Sequence, residues 1–325
     1  MIRGLVIGKF YPPHRGHHYL IDTALAACDE VEVLVCDSPT YRIPAEKRAS
    51  WLSAIHPHAR VRIIPDIGKD DDSKAWAAHT LAFLGYAPDI VFTSEDYGTA
   101  YAAAMGCEHR LVDRVRAYVP VSGTKVRSDV LAHWQFLDPL VRQLYCRRIC
   151  VLGAESTGTT TLAKALARHY QTYWVPEYGR YHTEAMLTAG TEIDWNSQDF
   201  DFIAAQQQAW EDALAGKSSG LLICDTNAFA TRVWRRRYLG SYGETLEWSR
   251  HKAYDLYIVT YPDIPFEQDG TRDGSDRVRH EMHRWFTEEL EKAGQPYLVV
   301  RGAHSVRLKQ ATKKIDALLG EKVCI

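Results

Sequence analysis

The chain has 325 residues, 46% apolar and 25% charged, enough for two domains of ordinary size, each with its own core. Its formal charge of −2 divides evenly, with 16 basic and 17 acidic side chains in residues 1–146 and 23 and 24 in the remainder, so bulk charge supports neither a nucleic-acid footprint nor a polybasic membrane patch. No apolar run approaches the ~20 residues that span a bilayer, and Met1 to Gly8 run into a strand rather than a signal peptide, so a cytoplasmic location is expected. The seven cysteines form no Cys-x-x-Cys pair and read as small buried residues.

Strand-length apolar runs alternate with helical stretches, which predicts an α/β fold built on parallel sheets. Leu5 to Gly8 form the first strand. Lys9-Phe10-Tyr11-Pro12-Pro13 cannot continue it, and His14-Arg15-Gly16-His17 opens a helix. Both histidines thus fall at a helix N-terminus, where amides and dipole favour anions; Gly16 lets a phosphate approach, and the two rings can face one bound group. A zinc site at His14, His17 and His18 would lack a suitably spaced cysteine or carboxylate.

Further strands are expected at Val31 to Cys36, Val61 to Ile64 and Ile90 to Thr93. Ser122-Gly123-Thr124-Lys125-Val126-Arg127 then offers two hydroxyls and a glycine at a helix start, followed by two cations suited to β- and γ-phosphates. Together the two segments predict donors arranged around the α-phosphorus of a nucleoside triphosphate as pyrophosphate departs. A helical segment after Val130 is expected to end near Tyr145, and the domain boundary is placed there, giving domains 1–146 and 147–325.

Arg148 to Gly153 start a new strand that enters Gly153-Ala154-Glu155-Ser156-Thr157-Gly158-Thr159-Thr160-Thr161. This matches Gly-x4-Gly-Lys-[Ser/Thr] except that Thr159 stands at the lysine position. The glycines keep a ring of amides for phosphates, and Thr160 is placed to reach Mg²⁺. One absent cation costs ~3–4 kcal/mol of transition-state stabilisation unless another replaces it, with Arg272 and Arg277 as candidates. Helices are expected at Thr161 to His169, Phe200 to Ala215 and Ala311 to Leu319, and strands at Gly220 to Asp225, Leu256 to Val259 and Tyr297 to Val300. Asp225, ending its strand, suits Mg²⁺, an accepting hydroxyl or a helix cap. Trp174 to Arg180 contribute the Glu177 carboxylate, the Tyr178 ring and the Arg180 guanidinium. Asp263 to Gly274 have the composition of a mobile lid or of a solvated charged loop.

His-x-Gly-His with Ser-x-Thr-x-x-Arg resembles the paired signatures of the nucleotidyltransferase superfamily. With the P-loop, Trp174-Val175-x-Glu177-Tyr178-x-Arg180, Asp225-Thr226 and Pro262-Asp263-Ile264-Pro265-Phe266-x-x-Asp269-Gly270-x-Arg272-Asp273, nearly the whole chain is similar to the NadR-type family. That family joins nicotinamide mononucleotide adenylyltransferase to ribosylnicotinamide kinase. The resemblance implies an N-terminal Rossmann-like nucleotidyltransferase domain and a C-terminal P-loop kinase-like domain, acting with ATP and Mg²⁺ on nicotinamide mononucleotide and nicotinamide riboside to give NAD.

It assigns His14, His17, Arg127, Gly8, Phe10, Ser122, Thr124 and Lys125 to the ATP of the first reaction, and Lys9, Trp76, Ser94, Glu95 and Tyr97 to the mononucleotide pocket. In the second domain it assigns Gly153, Glu155, Ser156, Thr157, Gly158, Thr159, Thr160 and Thr161 to the P-loop. Glu177, Tyr178, Arg180, Asp225 and Asp269 fall to the riboside, Thr160 and Asp225 to the metal, and Arg272 and Arg277 to the lid. Thr159 leaves one alternative, an adenylyltransferase whose P-loop domain binds ligand without efficient catalysis. Some members carry an N-terminal helix-turn-helix; here the first strand begins at residue 2, so no nucleic-acid partner is expected. Homo-oligomerisation stays open.

Overall fold

The computed structural model describes residues 1–69, 71–190, 194–243, 254–265 and 275–323. The chain divides into two compact units, one of Met1–Val141 with Lys322–Ile325 and one of Arg142–Glu321.

In the first unit β1 (Arg3–Gly8), β2 (Glu30–Asp37), β3 (Arg60–Pro65), β4 (Ile90–Thr93) and β5 (Glu108–Leu111) form a parallel sheet in the order β3-β2-β1-β4-β5. The helices are α1 (Arg15–Ala27), α2 (Ala45–Ile55), α3 (Ser73–Leu84), α4 (Tyr97–Met105) and α5 (Gly123–Ser128). The central strands are covered on both faces and are therefore apolar throughout rather than alternating. Val6, Val33 and Val35 pack with Leu20, Ile21 and Ala24 of α1, while Leu5, Ile7 and Leu34 pack with Ala77 of α3 and Tyr101, Ala102 and Met105 of α4. Gly98 is needed at the start of α4, since a Cβ there would collide with Thr93 Oγ1 and His109 Nε2.

The segment before Tyr145 is not one helix. Pro139 cannot extend a preceding turn, so a 3₁₀ turn at Trp134–Phe136 stops and α6 (Pro139–Tyr145) starts afresh, with the Leu140 N–H donating to Asp138 Oδ1 at 2.8 Å.

The second unit contains β6 (Arg147–Gly153), α7 (Thr159–His169), β7 (Tyr173–Val175), α8 (Tyr178–Thr188), α9 (Ser197–Ala215), β8 (Leu221–Asp225), α10 (Ala228–Leu239), β9 (Leu256–Thr260), α11 (Asp276–Lys292), β10 (Tyr297–Val300) and α12 (His304–Leu319). The sheet is again parallel, ordered β10-β9-β6-β8-β7. α9 begins ahead of its apolar stretch because Asn196 caps it, accepting from the Gln198 and Asp199 N–H groups while the Asp199 carboxylate accepts from the Asn196 N–H. α12 also starts earlier than its apolar stripe, at His304. The six described cysteines are free thiols, and Cys36, Cys146, Cys150 and Cys224 are buried. Among the described residues no helix is long and apolar enough to cross a membrane.

A buried ion pair ties β6 to α9. Arg148 Nη1 lies 3.0 Å from Glu211 Oε2, both side chains nearly without solvent contact, and Arg148 Nη2 reaches Asp212 at 2.8 Å. Arg148→Met is expected to destabilise this unit by ~3–5 kcal/mol in chemical denaturation, because Glu211 would stay buried without its cation. Adding Glu211→Leu should recover at least about half of that loss. A double variant no more stable than the single one would trace the effect to packing instead.

Candidate active sites

β1 ends at Gly8, and the chain leaves the sheet through Phe10, which takes a left-handed φ of 44°. Arg48 of α2, with no solvent exposure, holds this turn by donating to the carbonyls of Ile43 at 3.0 Å, Cys36 at 3.1 Å, and Lys9. α1 then starts by reciprocal capping. The Gly16 N–H donates to His14 Nδ1 at 3.1 Å, the His14 N–H donates to His17 Nδ1 at 3.3 Å, and the two rings stack with centroids 3.7 Å apart. Because each Nδ1 accepts, each neutral ring carries its proton on Nε2. Burial, reinforced by His18, Arg116 and Arg127, lowers the His14 pKa to about 3; burial and the adjacent His14 likewise hold His17 well below the ordinary imidazole range. Both are neutral hydrogen-bond donors.

A cavity of about 500 Å³ opens at the C-terminal ends of β1 and β4. Gly8, Phe10, His17, Ser122, Thr124 and Arg127 line it, and so do Lys9, Trp76, Ser94, Glu95 and Tyr97. His14 sits against His17, 4% exposed. Ser122 both faces the cavity and caps α5, accepting from the Lys125 N–H at 3.2 Å. Lys125 itself is not on the wall. Arg127 is aimed by its own donors, Nη1 to the Tyr11 carbonyl at 2.9 Å and Nη2 to Thr124 Oγ1 at 3.1 Å.

The sequence reading missed Arg116, which shares this wall and lies 3.6 Å from Glu95. Its φ is 54°, in a turn organised by Asp113, whose carboxylate accepts from the N–H groups of Ala117, Tyr118 and Val119. Nothing in Asp113-Arg114-Val115-Arg116 separates a site arginine from a solvated one.

In the second unit β6 runs into the P-loop. Ser156 and Gly158 take positive φ of 52° and 81°, and a Cβ on Gly153 would strike Thr260 Oγ1. Gly153, Glu155, Ser156, Gly158, Thr159, Thr160 and Thr161 line a cavity of about 580 Å³, joined by Glu177, Arg180, Asp225 and, unforeseen, Trp234 of α10. Thr157 faces the loop interior, donating to the Ala154 carbonyl at 2.7 Å. Tyr178 lies off the wall: its N–H donates to Gln207 Oε1 at 2.8 Å, and its ring packs edge-on against Trp210. Arg277 lies on α11 away from the cavity lining, and Asp269 and Arg272 fall outside the described residues.

Asp225 is 2% exposed. Burial and then the Glu177 carboxylate raise its pKa to about 7, against the opposing pull of the nearby Thr160 and Thr159 hydroxyls and of Arg180. The Thr160 hydroxyl at the start of α7 and the Asp225 carboxylate at the end of β8, on one cavity wall, would suit one Mg²⁺ completed by phosphate oxygens and water.

The sheet orders define two α/β units, each built on a five-stranded parallel sheet, the second entering a P-loop. A family model described as an AAA domain matches residues 148–307. The trifunctional NAD biosynthesis/regulator proteins NadR of Escherichia coli and Salmonella typhimurium are each 26% identical over 98% of this chain and 84% of their own length. Among solved structures, a NadR protein in complex with NR superposes with a TM-score of 0.79 at 22% identity, covering 99% of this chain and 97% of the other. One in complex with NAD and AMP-PNP gives a TM-score of 0.77 at 21% identity with the same coverage. This chain is a homologue of NadR along nearly its whole length.

Two pH effects follow from the burial. The folded pKa of Asp225 lies above its ordinary 3.8, so between there and about 7 the folded chain holds a proton the unfolded chain has lost, and stability falls as pH rises. Asp225→Asn is expected to raise the melting temperature at pH ~8 and to lose most of that advantage at pH ~5; equal gains at both would contradict the shift. The imidazoles act oppositely: their folded pKa is depressed, so as pH falls below 6.5 the unfolded chain takes up protons first and stability drops, for His14 down to about 3. Nitrogen NMR should find both rings as Nε2–H tautomers from pH ~8 to ~5.5, and a ring titrating near its ordinary value would refute this.

Proposed function

We propose that the protein makes NAD in two steps, phosphorylating nicotinamide riboside in the C-terminal unit and adenylylating the resulting mononucleotide in the N-terminal one. The observation that carries the reading is the pair of Nδ1-anchored imidazoles, of which His17 lines a cavity together with Arg127, Trp76 and Tyr97. A 5′-phosphate oxygen of the mononucleotide attacks the α-phosphorus of ATP. The new P–O bond forms as the bond to the β-phosphate oxygen breaks, and pyrophosphate leaves with the electron pair. His17 Nε2–H and the Arg127 guanidinium donate to the oxygens on which charge grows, while His14 fixes the His17 ring. Trp76 and Tyr97 offer aromatic faces for the nicotinamide.

In the C-terminal unit Asp225 accepts the proton of the riboside 5′-hydroxyl as that oxygen attacks the γ-phosphorus and ADP departs. Mg²⁺, held by Thr160 and Asp225, would neutralise charge on the phosphates. Glu177 and Arg180, on the same cavity, can hold the ribose hydroxyls. The homology to NadR, together with NadR structures in complex with NR and with NAD and AMP-PNP, supports this reading. Thr159 at the lysine position favours one second reading, in which the P-loop unit binds ligand without efficient transfer.

Incubated with ATP, Mg²⁺ and nicotinamide riboside, the protein is expected to accumulate the mononucleotide and NAD. NAD made from added mononucleotide, with no product from the riboside, would reject the kinase half and leave the second reading. His17→Ala should cut adenylyl transfer by ~100-fold or more with an unchanged circular dichroism spectrum. Near-normal turnover would remove His17 from the mechanism.

A further inference from the structure

Nicotinamide mononucleotide is a zwitterion, a cationic pyridinium ring joined through ribose to an anionic 5′-phosphate. In adenylyl transfer the phosphate must reach the α-phosphorus while the ring stays in its pocket, so the wall between the two is best lined by a cation on one side and an anion on the other. Arg116 and Glu95 line the N-terminal cavity with their charges in that arrangement. Glu95 lies in the connection from β4 to α4, between Ser94 and Tyr97, which line the same cavity. Arg116 Nη2 is 3.6 Å from Glu95 Oε1. Its charge also reaches the histidines: after burial and the neighbouring imidazoles, it is the next influence keeping His14 and His17 neutral, ahead of Arg127 for both rings. The guanidinium thus connects the pocket proposed for the ring with the groups proposed to face the α-phosphorus.

The backbone is built to hold Arg116 there. Asp113 and Arg116 both take left-handed φ, 46° and 54°, which is uncommon for residues with a Cβ. The Arg116 N–H donates to the Asp113 carbonyl at 2.8 Å, and the Asp113 carboxylate accepts from the N–H groups of Ala117, Tyr118 and Val119 at 2.7, 3.2 and 3.0 Å. These bonds to one residue fix the direction in which the Arg116 side chain leaves the chain. Of the two phosphate-bearing reactants, the mononucleotide is the one whose charges match this wall. Its ring would set a positive charge beside Glu95 while its phosphate meets Arg116, whereas a triphosphate drawn to Arg116 would bring several negative charges up to the Glu95 carboxylate.

We infer that Arg116 binds the 5′-phosphate of the acceptor and thereby makes the N-terminal site selective for the mononucleotide over the unphosphorylated riboside. A chain that handles both compounds needs such a contact, because they share the ring and the ribose and differ only in that phosphate. The inference rests on the adenylyl-transfer reading above, and the wild-type assay separates the two. Without NAD from mononucleotide and ATP that reading fails and the inference with it; with NAD formed, the Arg116 variants decide.

In the full-length protein, Arg116→Asn removes the cation and suits a positive φ, whereas Arg116→Lys keeps a charge that a phosphate accepts. Arg116→Asn is expected to raise the KM for mononucleotide by ~10-fold or more while the KM for ATP stays within about threefold. The probe for selectivity is 5′-deoxynicotinamide riboside, which has the ring and the ribose, carries no phosphate and cannot be phosphorylated. As a competitive inhibitor of adenylyl transfer it should act on Arg116→Asn with a Ki no more than about threefold above that of the wild type. Arg116→Lys should recover at least about threefold of the loss in KM. An unchanged KM for mononucleotide, a KM for ATP or a Ki for the deoxyriboside that rises in parallel with it, or a lysine variant no better than the asparagine one would overturn the inference. If Arg116→Asn does not fold by circular dichroism, Arg116→Gly, which takes a positive φ without strain, replaces it with the same expected values.

Discussion

Each unit places its first strand at the centre of a parallel sheet, and that constraint decides where chemistry can occur. β1 has β2 on one side and β4 on the other; β6 has β8 and β9. At the C-terminal end of such a strand the neighbouring connections leave toward opposite faces, and a crevice is left that no side chain of the sheet fills. The turn that follows the strand must cross this crevice and start a helix, so its amides and the positive end of the helix dipole face the open space. In one unit the turn is Lys9 to Pro13 and in the other the P-loop. The two cavities are one topological solution used twice, with the residues of the turn setting the reaction.

Such turns have carbonyls to satisfy as well as amides to present. Both units meet the need with buried arginine. Arg48 takes three carbonyls around the Lys9 turn, and Arg279 and Arg307 together take three consecutive ones of the P-loop. Arginine suits the task because its five donors lie in a rigid plane and its charge stays in place on burial. Such bonds also explain how Phe10 and Ser156 persist at positive φ without being glycine: Arg48 holds the Lys9 carbonyl and Arg127 that of Tyr11 on either side of Phe10, and Arg279 holds the carbonyls of Glu155 and Ser156.

The strands were legible because residues covered on both faces leave uninterrupted apolar runs, as Leu5 to Ile7 and Leu221 to Cys224 do. The phosphate turns were legible because their chemistry is local, set by residues a few positions apart. What supports them was not. Arg279 bonds a carbonyl 124 positions earlier in the chain, and its letter does not distinguish it from Arg277, which lies off the cavity wall. α11 is amphipathic but dominated by charge, and its apolar stripe of Met282, Trp285, Phe286 and Leu290 is sparse. Tyr178 and Lys125 show the converse limit, since a motif fixes a residue's place along the chain and not the direction of its side chain. At Ser122 the choice between a helix cap and a cavity residue dissolved, because one hydroxyl does both.

The two sites handle charge in opposite ways, and burial is the reason in each. In the N-terminal cavity burial and the neighbouring Arg116 and Arg127 oppose an imidazolium, so His14 and His17 are neutral. An arriving triphosphate raises their proton affinity, and any charge they gain is acquired together with the ligand that compensates it. In the C-terminal cavity the same desolvation acts on a carboxylate and keeps a proton on Asp225 up to about pH 7. A metal cation on Asp225, or the loss of Glu177 as its neighbour, would release that proton. Burial thus opposes charge on the imidazoles in one site and on the carboxylate in the other, and a ligand of the opposite charge would reverse the balance in each.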